Sequence, residues 1–360
     1  MIKTAPHRSF MDTLLLSRKA GLCRPVHAQI ELTYRCNLQC VHCYCKGSEK
    51  NGELGLPEWK EILTKLHRSG VLYLEITGGE PLLRDDFTEI YDLARSKGFL
   101  ITLFTNGSLL TDRLIRHLAE KPPHSIEITL NGITKDTYES ITGVEGSFEK
   151  VMDAIHKVSC KRLPLVLKSN GLRQNKGEIV AIKKFTEELL GKKRFKFDSF
   201  VTPRLDGERT PCDHRLSARE IAGIEGLDAE MSAQREEEFG AWKDIIKYPA
   251  RKYHCNAHLT HLYITPYGRL RFCHLTDKYS GDLRRSSVSG IMNGAIAHIR
   301  REKYRAGSEC ISCDAREFCH HCPPRAFLET GDEDAAVPYF CELARAKKAQ
   351  KGRFDVSQRV

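Results

Sequence analysis

The 360-residue sequence predicts a parallel α/β fold followed by a small cysteine-rich domain, and three observations carry that prediction. Between residues 26 and 200, short β-branched runs alternate with longer amphipathic stretches, the rhythm of a parallel sheet with crossover helices. The rhythm stops after Phe200. The 14 cysteines are not spread evenly but bunch at Cys36–Cys45 and Cys310–Cys322. At roughly 100–200 residues per domain the length admits two or three domains.

The elements follow in order. Strands are expected at Val26–Thr33, Val71–Ile76, Leu100–Phe104, Ser125–Leu130, Leu165–Lys168 and Arg194–Phe200. Helices are expected between them at Pro57–Arg68, Asp86–Lys97, Thr111–Glu120, Phe148–Ser159 and Ile179–Leu190. Thr111-Asp112 and Ser147 read as helix starts, and Gly98 and Gly191 as stops. In such folds ligands sit at the C-terminal ends of the strands. An N-terminal extension covers residues 1–25, and a connecting segment with a helical stretch around Ala218–Trp242 covers 201–254. Residues 255–345 contain little core and need metal staples. From Ala346 the chain is basic and polar, read as a frayed tail.

Composition narrows the function classes. Apolar residues make up 41% and charged residues 29%, ordinary for a globular protein with a sizeable core. No run of eighteen apolar residues exists and no signal peptide is readable, so the sequence predicts a cytoplasmic protein that neither spans nor enters a membrane. Basic residues outnumber acidic ones 57 to 47, a diffuse excess that reads as a solvated basic surface or as attraction to an acidic partner. No nucleic-acid-reading motif appears. A chain this large rarely needs a disulfide framework, so metal sites in a reducing compartment are favoured.

The first strand runs into Cys36-Asn37-Leu38-Gln39-Cys40-Val41-His42-Cys43, a C-x3-C-x2-C loop. Three thiolates can ligate three irons of a four-iron cluster and leave the fourth iron open, as a catalytic centre requires. Zinc with His42 as fourth ligand is the alternative. The second strand ends in Thr77-Gly78-Gly79-Glu80-Pro81, whose glycines would let backbone approach a ligand and whose Glu80 offers a carboxylate to an ammonium group.

Together these residues resemble the radical S-adenosylmethionine (SAM) superfamily over about residues 26–200. The resemblance implies a partial (β/α)6 barrel in which Cys36, Cys40 and Cys43 hold a [4Fe-4S] cluster that binds SAM and cleaves it reductively to a 5′-deoxyadenosyl radical. It further implies that Gly78, Gly79 and Glu80 take the methionine amino group and that Tyr44 lies near the adenine. Thr129 and Asn131, and more distantly Lys168 and Asn170, would serve the SAM carboxylate or ribose, or simply end their strands. Thr105-Asn106-Gly107 reads as a turn.

The C-terminal region reads Cys255-x12-Gly268-x4-Cys273, then Cys310-x2-Cys313-x5-Cys319-x2-Cys322, then Cys341. A zinc ribbon or two structural zincs could account for these seven. The order resembles the SPASM extension of radical SAM proteins over about residues 255–345, with two auxiliary iron–sulfur clusters. By position that resemblance assigns Cys255, Cys273 and Cys322 to the first and Cys310, Cys313, Cys319 and Cys341 to the second. Relatives often carry three residues, not two, before the last Cys of the central group. The first cluster is one ligand short, and His261 or His258 could supply it. Cys23, Cys45, Cys160 and Cys212 remain, with Cys160 read as an inert buried thiol. Asp277 and Asp282 near Cys273 read as exposed turn carboxylates.

Relatives of this kind mostly modify ribosomal peptides or proteins, by crosslinking or by side-chain oxidation. The implied partners are a peptide or protein substrate, a flavodoxin- or ferredoxin-type electron donor, and a separate leader-binding protein, because only about 25 residues precede the first strand. An anaerobic sulfatase-type maturase, a tetrapyrrole-modifying enzyme and a non-enzymatic zinc-stabilised module are the other readings. No catalytic acid or base is assigned.

Overall fold

The computed structural model describes residues 25–48, 51–228, 250–255, 260–319 and 322–357. Strands β1 (His27–Glu31), β2 (Tyr73–Thr77), β3 (Leu100–Thr105), β4 (Ser125–Thr129), β5 (Leu165–Asn170) and β6 (Phe195–Asp198) lie side by side in chain order, all parallel. Helices α1 (Leu56–Arg68), α2 (Phe87–Ser96), α3 (Asp112–Glu120), α4 (Lys135–Thr142), α5 (Ser147–Cys160) and α6 (Ile179–Leu190) fill the crossovers. Helix α4 goes unread in the sequence although Thr134 precedes it and Gly143, at φ +67°, ends it, because eight residues give too little periodicity. Thr111 caps α3 by accepting from the Leu114 amide at 3.2 Å. Ser147 instead begins the helical turns of α5, behind a left-handed Gly146, and shares a hydrogen bond with the Thr142 hydroxyl.

The strands alternate because only one face of the sheet is covered by helices. Ala28, Ile30, Leu74, Ile76, Ile101 and Leu103 are fully buried in one core with Trp59, Ile62, Leu63 and Leu66 of α1. Burying each such side chain is worth about 1.5–3 kcal/mol against leaving it exposed. The intervening Gln29, Glu75, Thr102, Phe104 and Lys168 are half-buried on the other face. A parallel sheet covered on both faces reads as continuous apolar runs. The half-buried second face, mostly polar, is the one that helices leave uncovered.

The sheet does not end at the expected domain boundary. Strand β7 (His261–Ile264) adds to β1 in parallel, with His27 opposite His261 and Ile30 opposite Ile264. Strands β8 (Arg269–Arg271) and β9 (Gly281–Asp282) continue it antiparallel. The cysteine-rich region is thus built onto the edge of the barrel sheet, and its first helix packs into the barrel's own core. In helix α8 (Val288–Arg301), capped by the Ser287 hydroxyl, Val288, Met292, Ala295, Ile296 and Ile299 are buried at helical spacing. Helix α9 (Pro323–Thr330) starts on two prolines and stops at a left-handed Gly331.

Two further corrections concern the linker and the tail. The connecting segment forms helix α7 (Ala218–Gly226) under a Ser217/Glu220 capping box; its expected continuation to Trp242 lies outside the described residues from 229 on. Arg215, just before it, is buried and forks onto Glu329 of α9 at 2.7 and 3.0 Å. The residues from Ala346 are no frayed tail: helix α10 runs Pro338–Ser357. Phe340, Leu343, Ala344 and the Lys347 stem are buried at helical spacing, so packing continues past the point where the composition turns basic. Among the described residues no helix is long and apolar enough to cross a membrane.

Candidate active site and cluster-binding loops

The loop after β1 carries Cys36, Cys40 and Cys43, all partly buried. Burial pushes the Cys40 thiol up to about 12 and Cys36 up to about 11, while a hydrogen bond from Cys45 lowers Cys43. Cys36 accepts from the Leu38 amide at 3.4 Å and from Asn106 Nδ2 at 3.8 Å. Among the described residues no three His, Cys, Asp or Glu side chains converge as ligands of a single ion. The His42 ring, the fourth ligand of the zinc alternative, faces Asn131 with Nε2 at 3.4 Å from Nδ2 and keeps its buried Nδ1 without a hydrogen-bond partner. Three soft thiols on one loop, each felt electrostatically by another, fit an iron–sulfur cluster.

The Gly-Gly-Glu turn after β2 presses on that loop. A Cβ on Gly78 would meet the Thr33 carbonyl oxygen at 2.3 Å, and one on Gly79 the Arg35 carbonyl oxygen at 2.3 Å. The Gly79 and Glu80 amides donate to Thr33 and Arg35 carbonyls at 2.7 and 2.9 Å. The close approach that demands glycine here is to the chain's own backbone. Glu80 is fully buried, and burial raises its carboxyl to about 7. It accepts from Leu82 N at 3.1 Å, Thr105 Oγ1 at 2.8 Å and Asn106 N at 2.7 Å. Thr105-Asn106-Gly107, read as a turn, thus also orients the Glu80 carboxylate.

The remaining predicted residues separate. Asn131 is buried and structural: its Oδ1 accepts from Asn170 N at 2.8 Å, and Asn175 Nδ2 holds the carbonyls of both. Thr129 and Lys168 are paired across β4 and β5, but Lys168 Nζ turns onto the Phe104 ring at 4.2 Å and toward Glu127 at 3.5 Å. The Tyr44 hydroxyl donates to Glu31 at 3.1 Å and its ring meets His274. Cys45 is buried, 3.6 Å from the Cys43 sulfur. Cys160 is exposed rather than buried, because the inner face of α5 is filled by Val151, Ala154, Ile155 and Val158. Cys212 lies half-buried in a 3-10 turn, and Cys23 lies outside the described residues.

In the C-terminal region a single cavity of about 100 Å³ is lined by Cys255, Cys273, Cys310, Cys313, Cys319, Cys322 and Cys341. Cys273, raised to about 12 by burial, senses Cys322 and Cys255, whereas Cys310 senses Cys341 and Cys313. Those neighbourhoods group Cys255, Cys273 and Cys322 on one side and Cys310, Cys313 and Cys341 on the other, and leave Cys319 unassigned. Seven thiols around one cavity fit iron–sulfur ligation rather than core filling. His261 is not among the lining residues; it stacks on His27 at 4.5 Å and bonds Thr260. His258 lies outside the described residues. Among the described residues the histidine lining the cavity is His254, missed in the sequence, which accepts at Nε2 from Arg316 at 3.0 Å. Asp277 is taken by Arg271 at 2.6 Å and Asp282 by Arg284 at 2.9 Å, so neither is a free base.

Residues 30–187 match the family model of the Radical SAM superfamily, and residues 255–323 match SPASM, an iron–sulfur cluster-binding domain. The chain belongs to the radical SAM superfamily. Membership brings iron–sulfur clusters and SAM as cofactors, and the two matches place a radical SAM domain before a SPASM domain. The subtilosin biosynthesis protein AlbA of Bacillus subtilis is 27% identical over 88% of this chain and 71% of its own. An AdoMet-dependent heme synthase of Methanosarcina barkeri is 25% identical over 88% of this chain and 96% of its own. The crystal structure of Streptococcus suis SuiB bound to precursor peptide SuiA superposes with a TM-score of 0.69 at 17% identity, covering 95% of this chain and 83% of that one. The two share the fold.

Proposed function

We propose that this radical SAM enzyme is a maturase that oxidatively modifies a ribosomal peptide, by a crosslink or a side-chain oxidation. The observation that carries this reading is structural continuity. The three-thiol loop leaves β1, and the neighbouring strand β7 belongs to the region that encloses the seven-thiol cavity. When bound, the cofactors supply reductive cleavage of SAM to methionine and a 5′-deoxyadenosyl radical, together with auxiliary centres that carry the electron released on substrate oxidation.

The chain's own residues hold and orient. Cys36, Cys40 and Cys43 would hold the SAM-binding cluster; Cys255, Cys273 and Cys322 the first auxiliary cluster; Cys310, Cys313, Cys319 and Cys341 the second. Glu80, steered by three donors, presents its carboxylate to the methionine ammonium. The half-buried polar face of β1–β5 leaves room for substrate beside the cofactor. AlbA and the SuiB–SuiA complex, named for bacteriocin biosynthesis and a precursor peptide, support a peptide substrate. A flavodoxin- or ferredoxin-type donor would deliver the electrons.

The near full-length match to the heme synthase favours a tetrapyrrole as the second reading. Anaerobic protein should contain about twelve irons, as three four-iron clusters require. With reductant and SAM it should release 5′-deoxyadenosine and change the mass of small peptides encoded beside it. Porphyrin binding with no peptide mass change would favour the heme-synthase reading instead.

A further inference from the structure

Glu31 is the last residue of β1, five positions before Cys36, and is 1% exposed. A carboxylate this deep requires partners. Its Oε2 accepts from the Tyr34 hydroxyl at 2.9 Å and its Oε1 from the Tyr44 hydroxyl at 3.1 Å. Tyr44 is bonded in sequence to Cys43. The Tyr34 oxygen in turn accepts from Arg271 Nη1 at 3.3 Å, and Arg271 stands two residues before Cys273. On the other side of Cys273, the half-buried His274 ring meets the Tyr44 ring edge-on at 5.7 Å. The loop that carries Cys43 and the loop that carries Cys273 are therefore joined twice, once through a hydrogen-bonded chain centred on Glu31 and once ring to ring.

We propose that Glu31 is a positioning residue shared by two centres: through Tyr34–Arg271 and Tyr44 it sets the Cys43 loop and the Cys273 loop in one frame, so that a change at either loop is felt at the other. The proposal rests on the ligand roles given above to Cys43 and Cys273. No electron, proton or bond is transferred by it; the network fixes distance and local field. In a low-dielectric interior a hydrogen-bonded chain of this length transmits a charge change more strongly than surface contacts do.

The test is cross-talk, read by electron paramagnetic resonance and redox titration of reconstituted full-length protein. Arg271→Gln, on the auxiliary side, is expected to shift the midpoint potential of the cluster whose signal responds to SAM. Tyr44→Phe, on the SAM side, is expected to shift that of an auxiliary cluster, with iron content unchanged in both. Tyr34→Phe removes the link between Arg271 and Glu31 without altering charge, and in that background the effect of Arg271→Gln on the SAM-responsive cluster should vanish. Glu31→Gln should perturb both signals together, but the other variants decide the matter if it does not fold. Shifts confined to the mutated side, or a cross effect that survives Tyr34→Phe, overturn the proposal. Wild-type protein that binds no iron would instead overturn the ligand roles on which it rests.

Discussion

At the residue scale the site is organised by hydrogen bonds to one buried carboxylate. Glu80 is raised to about 7 from an ordinary 4.5 because burial outweighs its three donors. Its folded form favours the proton, so the stability it contributes is complete below about 4.5 and declines as pH rises through about 7. An ammonium ligand reverses the balance by meeting the ionised form. SAM affinity, measured by anaerobic titration, should therefore rise with pH through neutrality, and a flat profile would refute the Glu80 contact. Glu80→Gln should weaken SAM binding on the order of 10- to 100-fold, the range of a hydrogen bond to a charged group, and remove the pH dependence. Gly79→Ala acts differently. Its Cβ has no room beside the Arg35 carbonyl, so the cluster loop must shift. The expected result is loss of about four irons of about twelve, with auxiliary signals retained.

At the scale of elements, legibility followed periodicity. The barrel strands could be read because alternation of Ile30, Ile76 and Leu103 with polar neighbours registers a sheet covered on one side. Strand β7, four residues among histidines and tyrosines, carries too little pattern, and its partner β1 is more than two hundred residues away. Helix α8 has the apolar spacing of Val288, Met292, Ala295, Ile296 and Ile299. The contact that fastens the connecting segment, Arg215 on Glu329, could not be read at all, since nothing in sequence relates two charges 114 positions apart. Both partners are buried, and Arg215 also lies over the Tyr339 ring at 4.5 Å. Glu329→Gln leaves the guanidinium unpaired and should destabilise the fold by about 3–5 kcal/mol in denaturant unfolding. A change under 1 kcal/mol would mean that water reaches the pair.

At the scale of the molecule, the radical SAM and SPASM regions share one nine-stranded sheet and are fastened by the Glu31 network and the Arg215 fork. They should unfold together rather than as separate domains. Replacing Cys36, Cys40 and Cys43 with alanine should abolish 5′-deoxyadenosine release and lower iron from about twelve to about eight per chain. Full iron with activity lost would place the clusters elsewhere. By itself the sequence determined where the cysteines bunch, the Gly-Gly-Glu turn and the α/β rhythm, because spacing along a loop and side-chain periodicity are local properties of the chain. Only the tertiary structure decided that the glycines serve the cluster loop's own backbone, that Tyr44 turns toward His274, and that His254 rather than His261 stands at the auxiliary cavity. Each of these depends on which distant segments meet, and hydrogen bonds and burial are settled by that meeting rather than by position in the chain.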